Sequence, residues 1–170
     1  MKIPELLRQS IPEVTSALLE DHEIVLQKAG PQPTRRAAVI GFSGDLVKGS
    51  LGLAVEPELL EFAHARLMGR SPNARESDDF LSELSNQLLG RIKTVFLRYG
   101  VEIYLSTPMV LRGINISVSP GPHSNLVPAH FSTFVGPVSV WIDAQHAPEL
   151  DVHEVEQAED VMVEGELMFF

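Results

Sequence analysis

The 170-residue chain has no cysteine. That excludes a disulfide framework, a thiolate metal site and a cysteine nucleophile. Nor does it have an uninterrupted apolar run of the ~18 residues that a membrane-spanning helix needs. The opening Met1-Lys2-Ile3-Pro4-Glu5 lacks the apolar centre of a secretory signal, so a cytoplasmic protein with no membrane partner is expected. Lys and Arg stop at Arg112. Beyond it, residues 113–170 carry nine acids and no base, whereas residues 1–112 carry 13 bases against 14 acids. An acidic chain without clustered bases is a poor match to a phosphate backbone, which argues against nucleic acid as a partner. The acidic end, residues 147–170, reads most simply as a solubilising tail beyond a single domain over 1–146.

The six histidines do not make a metal site. His123, His130, His146 and His153 are scattered through loops and strands, without the i, i+4 spacing of zinc ligands. Ser43-Gly44-Asp45 is a hairpin turn and not a nucleophile elbow, since no Gly-x-Ser-x-Gly is present. Lys48 precedes Gly49 where a phosphate loop would have Gly before Lys.

What the sequence does contain is an alternation of helical and strand patterns. Residues 3–20 read as a helix that Pro12 should kink or interrupt. Residues 23–27, 36–42 and 50–55 read as strands, with a helix over 56–68 opened by Pro57. A linker over 69–77 leads to a helix capped at Ser77-Asp78-Asp79 and ended by Tyr99-Gly100. Strand patterns follow at 102–106, 108–118, 129–134 and 138–144, with a loop at 119–127. The predicted fold is α+β with a mostly antiparallel or mixed sheet. Glu23-Ile24-Val25-Leu26 echoes Glu102-Ile103-Tyr104-Leu105, and residues 49–59 faintly echo the run from Gly136 to Leu150. Such echoes suggest a duplicated unit of one long helix followed by strands.

The most informative segment is the helix through residues 79–95. Leu81, Leu84, Leu88, Ile92 and Val95 fall on one stripe; Asp79, Glu83, Asn86, Gly90 and Lys93 fall opposite. Glu83 and Asn86, at i and i+3 on the polar side, can reach one target together. Gly90 costs about 1 kcal/mol relative to Ala inside a helix, so it needs a reason. Clearance for a docking partner is one; packing against a strand is another. Leu89 and Leu97 lie near the polar side, as an apolar docking rim or a second contact within the fold.

Three segments together resemble one family. Ile40-Gly41-Phe42-Ser43-Gly44-Asp45-Leu46-Val47-Lys48-Gly49-Ser50-Leu51 is similar to a Gly-rich hairpin, and Glu83-Leu84-Ser85-Asn86 to a Glu-x-x-Asn signature with Asp79 upstream. Ser106-Thr107-Pro108-Met109-Val110-Leu111-Arg112-Gly113 is similar to the strand pair that follows the signature helix. Over roughly residues 35–145 the chain resembles the CheX-like branch of the chemotaxis phosphatases, relatives of CheC and FliY. The resemblance implies a duplicated α+β fold with two long helices on one face of the sheet. It implies hydrolysis of the aspartyl phosphate on a CheY-type response regulator. Asn86 would orient the attacking water and Glu83 would pair with a lysine of the regulator, with Asp79, Gly90 and Lys93 on the docking face. Mg²⁺ would belong to the regulator, so no cofactor of its own is implied; a homodimer is. An amide suits the role because it donates and accepts at once and stays neutral. Some relatives carry a second Glu-x-x-Asn on the first helix, but here Glu13-Val14-Thr15-Ser16 puts Ser in place of Asn. Two rivals remain: a non-catalytic module that binds a regulator or scaffold, and a flagellar-switch or adaptor role using the tail and its Met168-Phe169-Phe170.

Overall fold

The computed structural model describes residues 1–156; the rest of the expected acidic tail, 157–170, lies outside the described residues. Helix α1 (Ile3–Glu20) leads to a two-residue strand β1 (Gln27–Lys28) and a hairpin of β2 (Thr34–Ser43) and β3 (Val47–Val55). Helices α2 (Pro57–Met68) and α3 (Ala74–Arg98) follow. Then come β4 (Tyr104–Leu105), β5 (Met109–Ile116) and a hairpin of β6 (Leu126–Thr133) and β7 (Gly136–His146).

The seven strands form one sheet in the order β1-β6-β7-β3-β2-β4, with β5 also on β2, and every pairing is antiparallel. The architecture is α+β. The order has an internal symmetry. The two hairpins abut through β3 and β7, and the short strand after each long helix pairs with the other half's hairpin: β1 with β6, β4 with β2. The echoed tetrapeptides lead into those short strands, and Ile24 and Ile103 are both fully buried.

α1 packs over β6 and β7, α3 packs over β2 and β3, and the two helices touch. Leu7, Ile11 and Leu18 of α1 and Leu81, Leu88 and Phe96 of α3 enter one core with Ile40, Leu51 and Ile142 of the sheet. On the opposite face Trp141 lies across Gly52, its register partner. A Cβ on Gly52 would fall 2.0 Å from the ring, so the strand takes glycine there.

Three expectations are corrected. α1 runs unbroken through Pro12. The carbonyl that Pro12 leaves unpaired belongs to exposed Arg8, which water can serve, while burial of Ile11 and Thr15 holds the helix together. α3 begins one turn early: Asn73, not Ser77, is the N-cap, in a capping box with Glu76. Strands expected at 23–27 and 102–106 shorten to two residues each, because Ile24 and Ile103 bury their side chains outside the ladder. Residues 147–156 return along the body. Val152 is buried and exchanges hydrogen bonds with Met1, and the Val155 N–H donates to the Arg98 carbonyl at the end of α3.

Candidate active site

α3 is fastened to the body at both ends and in its middle. At its start the Asn73 side chain accepts from the Glu76 N–H at 2.8 Å, and Arg70 grips the Glu76 carboxylate at 2.9 and 2.5 Å. The Arg70 guanidinium, and then the backbone N–H of Asn73, hold the Glu76 carboxyl down at about 2. Asp78 accepts from Arg112 of β5 at 2.5 Å, and Arg91 donates to Asp21 beyond α1 at 2.6 Å. Phe80 is held edge-on between His22 and His64, with ring centroids 5.6 and 5.9 Å away. Burial pushes the His22 imidazole below its ordinary range; Asp21 opposes that shift and Arg91 adds to it.

The apolar stripe anchors the helix. Leu81, Leu84, Leu88, Ile92 and Val95 are all buried, as is Leu89, which therefore makes a contact within the fold. Opposite them Asp79 and Glu83 are exposed, and Asn86, Gly90 and Lys93 are half-exposed. The five predicted site residues thus share one outward stripe. Among the described residues a Cβ built on Gly90 meets nothing within 4 Å, so none of the seven strands packs against it or demands glycine there. The Asn86 amide makes no side-chain hydrogen bond to the described residues, which leaves both its donor and its acceptor available. Leu97, at the far end of the stripe, is 43% exposed.

Two neighbours of this stripe were missed at the sequence level. Gln87 donates to the Glu83 carboxylate at 3.2 Å, an i, i+4 contact that spacing alone could have suggested. Tyr104 of β4 sits with its ring 5.3 Å from the Lys93 ammonium and donates its hydroxyl to Glu102 at 2.9 Å. That hydrogen bond raises the Tyr104 pKa. The alternation Glu102-Ile103-Tyr104 could have suggested that Tyr104 and Glu102 lie on one outward face, but not that Tyr104 lies beside Lys93.

α1 carries a copy of the arrangement. Glu13 is exposed, Ser16 half-exposed, and Thr15 and Ser85 are buried hydroxyls that donate back to Ile11 and Ser82 carbonyls at 2.6 and 2.7 Å. The copy lacks the amide, and Glu20 stands where α3 has Gly90. Among the described residues no three His, Asp or Glu side chains gather as a metal donor set. A concavity of about 100 Å³ beside Trp141, lined by Pro33, Ile116, Pro128, His130 and Ser139, is on the helix-free face and takes in none of the stripe.

A sequence profile described as chemotaxis phosphatase CheX matches residues 36–131, over half of the chain and all of α3. The chain belongs to the CheX family of chemotaxis phosphatases. No curated protein matches it. Its fold is that of the chemotaxis protein CheX from Vibrio vulnificus (TM-score 0.72, 19% identity, covering 81% of this chain and 95% of that one). It is equally that of a CheC-like superfamily protein from Shewanella sp. PV-4 (TM-score 0.73, 21% identity, 85% and 99% covered). A CheX crystallised with CheY, BeF₃ and Mg²⁺ from Borrelia burgdorferi is also similar (TM-score 0.64, 18% identity, 81% and 97% covered). The profile stops short of α1 and includes the Glu-x-x-Asn helix, so of the two long helices it covers the one whose stripe keeps its amide.

Proposed function

We propose that this CheX-family chain hydrolyses the aspartyl phosphate of a CheY-type receiver domain in chemotaxis signalling. Asn86 accepts a hydrogen bond from the attacking water and holds it in line with phosphorus. The water oxygen bonds to phosphorus, the bond from phosphorus to the receiver's aspartate oxygen breaks, and free carboxylate and inorganic phosphate leave. Positioning is most of what such a transfer asks of a protein, because little covalent chemistry falls to it. Glu83 pairs with a lysine of the receiver and sets the register, with Gln87 steadying its carboxylate; Asp79, Gly90 and Lys93 lie on the docking face. Mg²⁺ is the receiver's. The observation that carries the reading is the placement of Glu83 and Asn86 on one outward stripe, where among the described residues nothing engages the Asn86 amide or fills the space over Gly90.

The same reading includes a homodimer. Among the described residues β5 pairs with β2 on one side only, and Met109, Leu111 and Ile114 are exposed along it, an edge that a second copy can cover.

The test follows the decay of phosphorylated receiver domains with wild-type protein and with Asn86→Ala. Faster decay with the wild type and not with the variant supports hydrolysis. Binding without faster decay gives the non-catalytic module instead.

A further inference from the structure

We propose that the docking face continues beyond the Glu-x-x-Asn signature onto β4, with Tyr104 and Leu97 as an apolar anchor on either side of Lys93, and that a receiver domain occupies it. This rests on the function proposed above and extends it to the residues that set affinity for the partner.

The signature alone is too small to hold a protein. Glu83 and Asn86 are three residues apart, about 4.5 Å along the helix axis. A stable interface covers about 800 Å² on each partner and takes most of its energy from a few aromatic or aliphatic anchors. The stripe from Glu83 to Leu97 spans about 21 Å, and it turns apolar towards its end. Leu97 is 43% exposed and lies one turn beyond Lys93; Tyr104 is 60% exposed and lies against Lys93 from the neighbouring strand. Gly90 opens the stripe between Asn86 and Lys93, so a partner seated over Asn86 can descend onto this end as well.

Tyr104 is held before any partner arrives. Its hydroxyl is tied to Glu102 and its ring lies beneath the Lys93 ammonium, so little rotamer freedom remains to be lost on binding. A rigid ring with one wet edge is the usual chemistry of an interface hot spot. The face is also polarised: carboxylates at Asp79 and Glu83, a cation at Lys93. The matching receiver surface presents a base near its phosphorylation site and, about 15 Å away, an apolar depression beside a carboxylate.

The test measures kcat and KM of wild type, Tyr104→Ala, Leu97→Ala, Tyr104→Phe and Asn86→Ala on a phosphorylated receiver, and the Kd of each for that receiver loaded with beryllium fluoride. About a thirtyfold rise in KM and Kd is expected for Tyr104→Ala, the scale of an interface hot spot, with kcat changed less than twofold. Leu97→Ala moves the same way, Tyr104→Phe falls between wild type and Tyr104→Ala because it keeps the ring and loses the tie to Glu102, and Asn86→Ala loses kcat and keeps Kd. Unchanged KM and Kd in both alanine variants of an active protein overturn the anchor and leave the phosphatase standing. Binding that Tyr104→Ala weakens, without turnover by wild type, upholds the anchor and overturns the phosphatase. No binding and no turnover across the host's receivers overturns both.

Discussion

Gly90 lies one helical turn beyond Asn86 on the outward stripe of α3, and nothing in the described structure occupies the space a side chain there would fill. The helix gives up stability at this position without any gain in packing. Gly90→Ala should therefore raise stability by about 1 kcal/mol, or about 2–4 °C in Tm for a domain of this size. Gly90→Trp should fold equally well, yet raise KM for a phosphorylated receiver by obstructing the docking face. Thermal melts and steady-state kinetics on both variants check this. A destabilised Gly90→Ala would mean that the space is not open.

Asn86 and Leu84 separate chemistry from folding over two residues. Asn86→Ala should lower kcat about a hundredfold or more, the scale of losing a positioned reactant, while stability shifts by no more than about 0.5 kcal/mol. Leu84 is 1% exposed in the core beneath it. Leu84→Ala should cost about 2–5 kcal/mol in denaturant unfolding. Its kcat should stay near that of wild type at temperatures where the variant remains folded.

The sequence exposed the register of α3 because one apolar stripe and one polar stripe at a 3.6-residue period admit a single orientation against a sheet. Its start was readable too, since Asn73-Ala74-Arg75-Glu76 is a capping box, but the acids at Asp78 and Asp79 offered a rival N-terminus. Other features are tertiary and left no local mark. Pairing of β1 with β6 and of β4 with β2 depends on contacts about 100 and 60 residues apart in the chain. Continuity of α1 through Pro12 follows from what its neighbours bury. Tyr104 joins the face only because β4 runs beside α3, a proximity that no residue spacing encodes.

Glu76 gives a pH signature. Its folded carboxyl titrates near 2, below the ordinary 4.5, chiefly because of Arg70 and then the Asn73 N–H. A depressed carboxyl contributes stability above its unfolded pKa, and that contribution is lost as pH falls from about 4.5 towards 2. Over that window melting temperature should fall less steeply for Glu76→Gln than for wild type, and the two curves should run parallel above pH 6. The site is exposed, so the difference should also shrink in high salt. Curves that stay parallel down to pH 2 would show that the Arg70 contact does not persist in solution.

The free edge of β5 supplies a test of assembly. Ile114 is 85% exposed on a strand that among the described residues is paired along one side only, with Met109 and Leu111 beside it. An eight-residue edge carrying three large apolar side chains is a template for a second strand unless something covers it. If that cover is another copy, wild-type protein should sediment as a dimer. Ile114→Lys should shift the equilibrium to monomer, since a charge on the edge leaves an ammonium without a partner at the two-fold contact. The substitution lies away from the α3 core, so thermal unfolding of the monomer should change by about 0.5 kcal/mol at most. A wild-type protein that sediments as a monomer at every concentration would remove the dimer and leave the α3 face as the main interface to study.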